Sequence, residues 1–184
     1  QRALAKRLAS KTEDVTMLFD DIAYSFDAEG KMSFIIRRVT FMRTDDGAKA
    51  WGETSAVWAP WYQGKPQIRA RVITRDGRVH LLDPGTLAEE PAVVEGDRIY
   101  SDRRRLRGPL PAVAAGAVVE EELTRSDTRA FFEAGSVYRQ WTFSGFPVVE
   151  RRFTVTAPEA LGARVRSLGG APAMTSRALD GGLR

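Results

Sequence analysis

Between Trp58 and Leu82 the chain reads WAPWYQGKPQIRARVITRDGRVHLL, and its polar and apolar positions alternate. Ile68, Ala70 and Val72 fall on one side of an extended chain, and Arg69, Arg71 and Ile73 on the other. Asp76-Gly77 follows, and Val79 and Leu81 form the returning apolar face. A period of two on both sides of a turn pair that accepts positive φ predicts a β-hairpin. The same period recurs along the chain. Ile22, Tyr24 and Phe26 alternate with Ala23 and Ser25, and Ala28-Glu29-Gly30-Lys31 predicts a turn with Gly30 at positive φ. The return strand, Met32 to Arg43, changes phase: Phe34 and Ile36 share one face, Val39 and Phe41 the other, which predicts a β-bulge near Arg37-Arg38. Asp45-Asp46-Gly47 reads as the turn that closes this strand, since three residues are too few for a calcium loop.

Further strands are expected at 51–58, at 98–100, at 117–124, at 136–143 with Val137, Trp141 and Phe143 on one face, and at 148–156. In the last of these, Val149, Phe153 and Val155 alternate with Glu150 and Thr154. The stretch 163–168 suggests one more. Residues 86–97, broken by Pro91 and Gly96, read as a surface excursion. Residues 1–14 predict a helical arm, with Leu4 and Leu8 at i,i+4. Residues 169–184 are rich in Gly, Ala and Ser and predict a linker or the start of a further strand. No interior segment reads as a long amphipathic helix. Many short strands joined by Gly, Asp and Pro turns make residues 15–168 an all-β domain, an antiparallel two-sheet β-sandwich.

Composition narrows the chemistry. At 184 residues, 43% hydrophobic and 28% charged, the chain holds enough apolar surface for one domain core. It contains no cysteine, which excludes disulfides, thiolate zinc sites and a cysteine nucleophile within these residues. No apolar run approaches the ~20 residues of a membrane-spanning helix. The chain opens on Gln1 with no positively charged, apolar leader, so a leader removed ahead of Gln1 is expected. The net charge of +4 permits an anionic partner without demanding one.

Candidate sites follow from what remains. His80 is the single histidine and lies on the predicted hairpin, opposite in phase to Val79 and Leu81. A strand residue is its expected role, since no G-x-S-x-G turn or second metal ligand accompanies it. Glu120 and Glu122 share a strand face, a pairing that serves acid–base chemistry or plain surface charge. The run Asp102-Arg103-Arg104-Arg105-Leu106-Arg107 is basic but headed by an acid, and it lacks an aromatic platform. It predicts a salt-bridged strand or a docking face, not a nucleic-acid site. Trp58, Trp61 and Tyr62 crowd one loop beside Pro60, as a binding patch for a protein or a glycan or as a cap on the core. The candidate binding residues are therefore Trp58, Trp61, Tyr62, Arg69, Arg71, Arg103 and Arg105; no catalytic residue, metal site or cofactor is expected.

Three groups of residues carry a family resemblance. The first is Trp58-Ala59-Pro60 with Gln63, Ala70-Arg71-Val72-Ile73 and Asp76-Gly77. The second is Tyr100-Ser101-Asp102-Arg103 with Leu106 and Leu110-Pro111. The third is Gly116-Ala117-Val118-Val119-Glu120, joined by Phe146-Pro147-Val148, Val155 and Pro158. In this order they resemble a bacterial domain of unknown function that usually lies directly N-terminal to a transglutaminase-like domain in exported or envelope proteins. The resemblance spans roughly Val15 to Pro158. Arg75 stands where the family commonly has Pro, and Ala117 where it commonly has Asp. The resemblance implies a non-catalytic β-sandwich module, periplasmic, envelope-bound or secreted. Its partner is an attached or neighbouring catalytic domain, whose Cys, His and Asp would lie beyond Arg184. A cell-wall glycan-binding module is the alternative.

Overall fold

The computed structural model describes residues 13–92, 102–132, 137–140, 144–167 and 174–178. The arm at 1–12, the strand expected at 98–100, Trp141, Phe143 and most of the tail lie outside the described residues. Among the described residues nine strands are present: β1 Val15–Phe26, β2 Met32–Met42, β3 Glu53–Trp58, β4 Gln67–Ile73, β5 Val79–Leu81, β6 Ala88–Pro91, β7 Arg104–Pro109, β8 Val118–Ser126 and β9 Arg151–Thr156. They form a six-stranded sheet in the order β5-β4-β8-β2-β1-β9 and a three-stranded sheet in the order β3-β7-β6. The fold is all-β, as expected.

The two sheets meet through alternating apolar side chains. Ala56 and Trp58 of β3 and Leu106 of β7 pack on Ile68 of β4 and on Leu82, with Leu123 and Ala70 alongside. A second cluster joins Val15, Met42, Val72, Leu110, Ala117 and Val119, with Trp51 and Phe146 edge to face against it. Each deeply buried Val, Leu or Met side chain in these clusters contributes about 1.5–3 kcal/mol of transfer free energy.

The long β1–β2 hairpin carries the larger sheet. Its turn closes because the Asp27 carboxylate accepts hydrogen bonds from the Glu29 and Lys31 N–H groups at 3.0 and 2.8 Å, with Gly30 at φ +78°. The β4–β5 hairpin turns at Gly77, φ +92°, the left-handed backbone for which a side chain is strained.

Five expectations need correction. First, no bulge interrupts β2, which pairs with β8 without a break from Ser33↔Ser126 to Phe41↔Val118. The extra residue is Leu18 of β1, between Met17↔Thr40 and Phe19↔Val39. The phase change in β2 reflects burial on both faces: Phe41 packs on Leu18 and Val118, while Met42 packs on Val15 and Ala117. Second, Val79 and Leu81 do not return to the core. They are exposed, and the residue opposite buried Val72 is His80, because the register pairs Val72 with His80. Third, residues 45–50 form a short helix, α1 (Asp45–Ala50), rather than a turn. The Thr44 hydroxyl accepts from the Gly47 N–H, and Asp45 and Asp46 lie in the first turn. Fourth, the excursion at 86–97 contains β6, which pairs with β7. Fifth, residues 137–140 and 163–167 are exposed and outside any strand, and Val137 faces solvent.

The sheet also departs from pure antiparallel pairing at one edge. Strand β9 runs parallel to β1, from Asp20↔Arg151 to Ser25↔Thr156. Asp20, 2% exposed, sits between two guanidinium groups: Arg38 Nε on β2 at 3.2 Å and Arg151 Nε on β9 at 2.8 Å. One buried carboxylate thus pins the edge strand through charge-assisted bonds.

A contrast in stability follows. Asp20→Ala leaves two arginines facing a buried gap and should cost about 3 kcal/mol, with β9 amides losing hydrogen-exchange protection first. Arg37→Ala, on the solvent face, should cost under about 1 kcal/mol in the same urea titration.

Candidate functional site

The loop between β3 and β4 crosses from the small sheet to the large one, and it carries an exposed tryptophan. Trp58, the last residue of β3, is 4% exposed and belongs to the core between the sheets. Trp61, three residues on, is 44% exposed. Tyr62 is half-buried beside it, with ring centroids 4.5 Å apart. The candidate cluster at 58–62 therefore divides, with one tryptophan holding the core and the other facing solvent.

Residues after β8 complete the patch, and the sequence reading missed them. Phe131 stacks at 5.3 Å from Trp61 and 4.9 Å from Tyr62, and Phe132 meets Phe131 edge to face at 4.2 Å. Phe131 and Phe132 are both exposed. The Arg129 guanidinium lies over the Trp61 ring, 5.1 Å from its centroid. Nothing in local spacing joins 61–62 to 129–132; only the pairing of the β3–β4 loop with the end of β8 does.

That pairing is a buried polar clasp. Gln63 and Asp127, 6% and 8% exposed, form an isolated bridge. The Gln63 Nε2 donates to Asp127 Oδ1 at 3.3 Å, and Gln63 Oε1 accepts the Ala59 N–H at 3.0 Å. Asp127 Oδ2 accepts the Met32 N–H at 3.2 Å, and the Asp127 N–H donates to the Met32 carbonyl at 2.7 Å. The Thr128 N–H donates to the Tyr62 carbonyl at 2.8 Å, and the Gly64 N–H to the Ser126 carbonyl at 2.9 Å. Burial pushes the Asp127 carboxyl above its ordinary range, against the hydrogen bonds from Met32 and Gln63 that favour the anion.

The candidate arginines occupy two other surfaces. Arg71 pairs with Glu120 at 2.6 Å, directly across the β4–β8 ladder. Arg37 pairs with Glu122 at 2.8 Å and with Asp21 at 3.8 Å, and Arg69 reaches Glu122 at 4.0 Å. Glu120 and Glu122 are thus each matched by guanidinium groups, as a charged sheet face. Opposite charges set across neighbouring strands stabilise the sheet face modestly. Arg105, with Arg104 and Arg107, lies on β7 and faces Glu89, Glu90 and Glu53 at 3.0–3.8 Å. The basic run is a salt-bridged strand. Arg103 is exposed just before it, and its carbonyl accepts the Ala92 N–H. None of these arginines joins the aromatic patch.

His80 borders an open depression of about 540 Å³ lined by Thr74, Arg75, Asp76, Arg78 and three alanines. The Thr74 hydroxyl donates to Asp76 and holds that carboxyl below its usual range, and Arg78 pairs with Asp76 at 3.0 Å. No helix among the described residues is long and apolar enough to cross a membrane.

These features define a two-sheet β module whose prominent exposed feature is an aromatic patch. The chain belongs to the family DUF3857, a domain of unknown function represented by solved structures; the match spans residues 28–184. No curated protein matches it. Among solved structures, the fold is similar to part of a putative protease from Parabacteroides distasonis, with a TM-score of 0.71 at 15% identity. The similarity covers 80% of this chain and 29% of that one, so the chain spans under a third of the longer protein's length.

Two outcomes are expected of the site itself. Trp58→Ala should cost about 3–5 kcal/mol of stability and Trp61→Ala less than about 1 kcal/mol, measured by urea unfolding. Asp127 keeps its proton to a higher pH in the folded state than in the unfolded one. Its stabilising contribution is therefore complete below the ordinary 3.8 and is lost as pH rises through the raised value. The urea midpoint of the wild type relative to Asp127→Asn should increase as pH falls from about 7 to about 3.

Proposed function

We propose that this chain is a non-catalytic accessory module that positions or regulates an attached transglutaminase-like, cysteine-protease-like domain through protein contacts. The observation that carries the reading is one of proportion. A fold like this one makes up 29% of a longer chain called a putative protease. The chemistry of the described residues supports the same reading. The paired carboxylates Glu120 and Glu122 are occupied by Arg71, Arg37 and Arg69, and the chain has no cysteine to act as nucleophile. His80 borders an open depression in which Arg78 already engages Asp76. An exported or envelope location accompanies the proposal, because the attached domain is expected in that compartment.

The test is the gene beyond the codon for Arg184, checked by intact mass of the native product. The frame should continue into a domain with one Cys, then His, then Asp. Cys→Ala there should abolish hydrolytic or acyl-transfer activity, while residues 1–184 alone remain inert on the same substrates. A native chain ending at Arg184, or turnover by residues 1–184 that His80→Ala or Glu120→Gln abolishes, contradicts the proposal.

A further inference from the structure

We infer that the aromatic patch of Trp61, Tyr62, Phe131 and Phe132, rimmed by Arg129, is the surface on which the attached catalytic domain seats. The inference rests on the accessory reading above and adds which face makes the contact. Composition is the first support. Exposed Trp, Tyr and Arg are the residue types that dominate binding energy at protein interfaces, and contiguous apolar surface of this kind marks docking sites. Trp61 is 44% and Phe132 60% exposed.

Position is the second support. The chain leaves the large sheet at Thr156, which pairs with Ser25. Ser25 pairs with Ser33, and Ser33 with Ser126, the residue before the clasp. The C-terminal exit of β9 and the root of the patch thus share one end of the sheet. They are three strand spacings apart, about 14 Å. The chain that continues past β9 therefore departs from the patch end of the sheet.

Charge and rigidity add to this. Among the described residues no carboxylate lies within ion-pair distance of Arg129, so the occupant is expected to bring a carboxylate to an apolar contact. The clasp fixes the loop beforehand and lowers the ordering cost of association. Two other faces suit docking less. The solvent face of the large sheet carries the Asp21–Arg37–Glu122–Arg69 ladder, and β7 carries its own matched pairs; covering either would desolvate charges already satisfied.

Ring geometry favours a protein over a glycan. The ring planes meet at 43° to 82°, and Arg129 already lies over Trp61. Phe131 and Phe132 carry no polar group for a sugar hydroxyl. The rings form a knob for an apolar pocket, not a shared platform for pyranose rings.

Hydrogen exchange on the full gene product and on residues 1–184 alone tests the assignment. Segments 59–64 and 128–132 should exchange at least about tenfold more slowly in the full product. Trp61→Ser with Phe132→Ser should abolish that protection while both domains keep their own melting transitions. Arg129→Glu should reduce it, and Arg129→Lys should leave most of it. Protection confined to another face, or none, overturns the docking assignment and leaves the accessory reading standing. A product without a second domain overturns both. A soluble peptidoglycan fragment that protects the two segments in residues 1–184 alone assigns the patch to glycan and overturns the inference.

Discussion

The carboxylate of Asp127 is the constraint on which the organisation of this molecule turns. It sits where β8 ends, β2 begins and the β3–β4 loop crosses between the sheets. One oxygen holds the Met32 N–H and the other the Gln63 amide. Three segments far apart in sequence are joined by one buried group, and losing it would leave largely buried donors unsatisfied. Arg125 reinforces the same corner, donating to the Val57 carbonyl at 2.7 Å while its guanidinium lies over Phe34. The corner is polar, yet what it displays to solvent is aromatic.

Charge elsewhere is distributed in rows across the strands. On the solvent face of the large sheet, register aligns Arg152, Asp21, Arg37, Glu122 and Arg69 over five adjacent strands, with alternating sign. Beneath it, buried Asp20 ties β1 to β2 and β9. The solvent row is screened and replaceable, whereas the buried carboxylate is not. The same distinction separates Trp61 from Trp58: similar side chains close in sequence, one available to a partner and one committed to the core.

Much of the fold was legible in the sequence because period-two burial is a local signal. The β1–β2 and β4–β5 hairpins and β8 were readable from alternation and turn chemistry, whereas β7 showed only as a basic run headed by an acid, a salt-bridged strand or a docking face. What escaped were consequences of tertiary pairing. Double burial at Phe41 and Met42 resembles a bulge when only one face is considered. Strand β6 was hidden by Pro91, which an edge strand tolerates. Strand β9 reads as an ordinary alternating strand, but its parallel direction shows only in its pairing with β1, where Arg151 meets Asp20 from far earlier in the chain. For the site, Trp61 and Tyr62 were visible. Phe131, Phe132 and Arg129 were not, because their proximity depends on the Gln63–Asp127 bridge, which no residue pattern announces.

The account thus links a buried polar clasp to an ordered aromatic surface, and that surface to contact with a second domain. Its central claim is that the clasp holds the patch in one arrangement. The most direct measurement is the backbone and indole N–H order of Trp61 by NMR relaxation, in the wild type and in Asp127→Ala. The account predicts a rigid Trp61 in the wild type, with order parameters of about 0.85, falling below about 0.6 in the variant while Trp58 stays rigid. Equal order of Trp61 in both proteins would contradict it, and the patch would then owe its shape to its own ring contacts rather than to the buried carboxylate beneath.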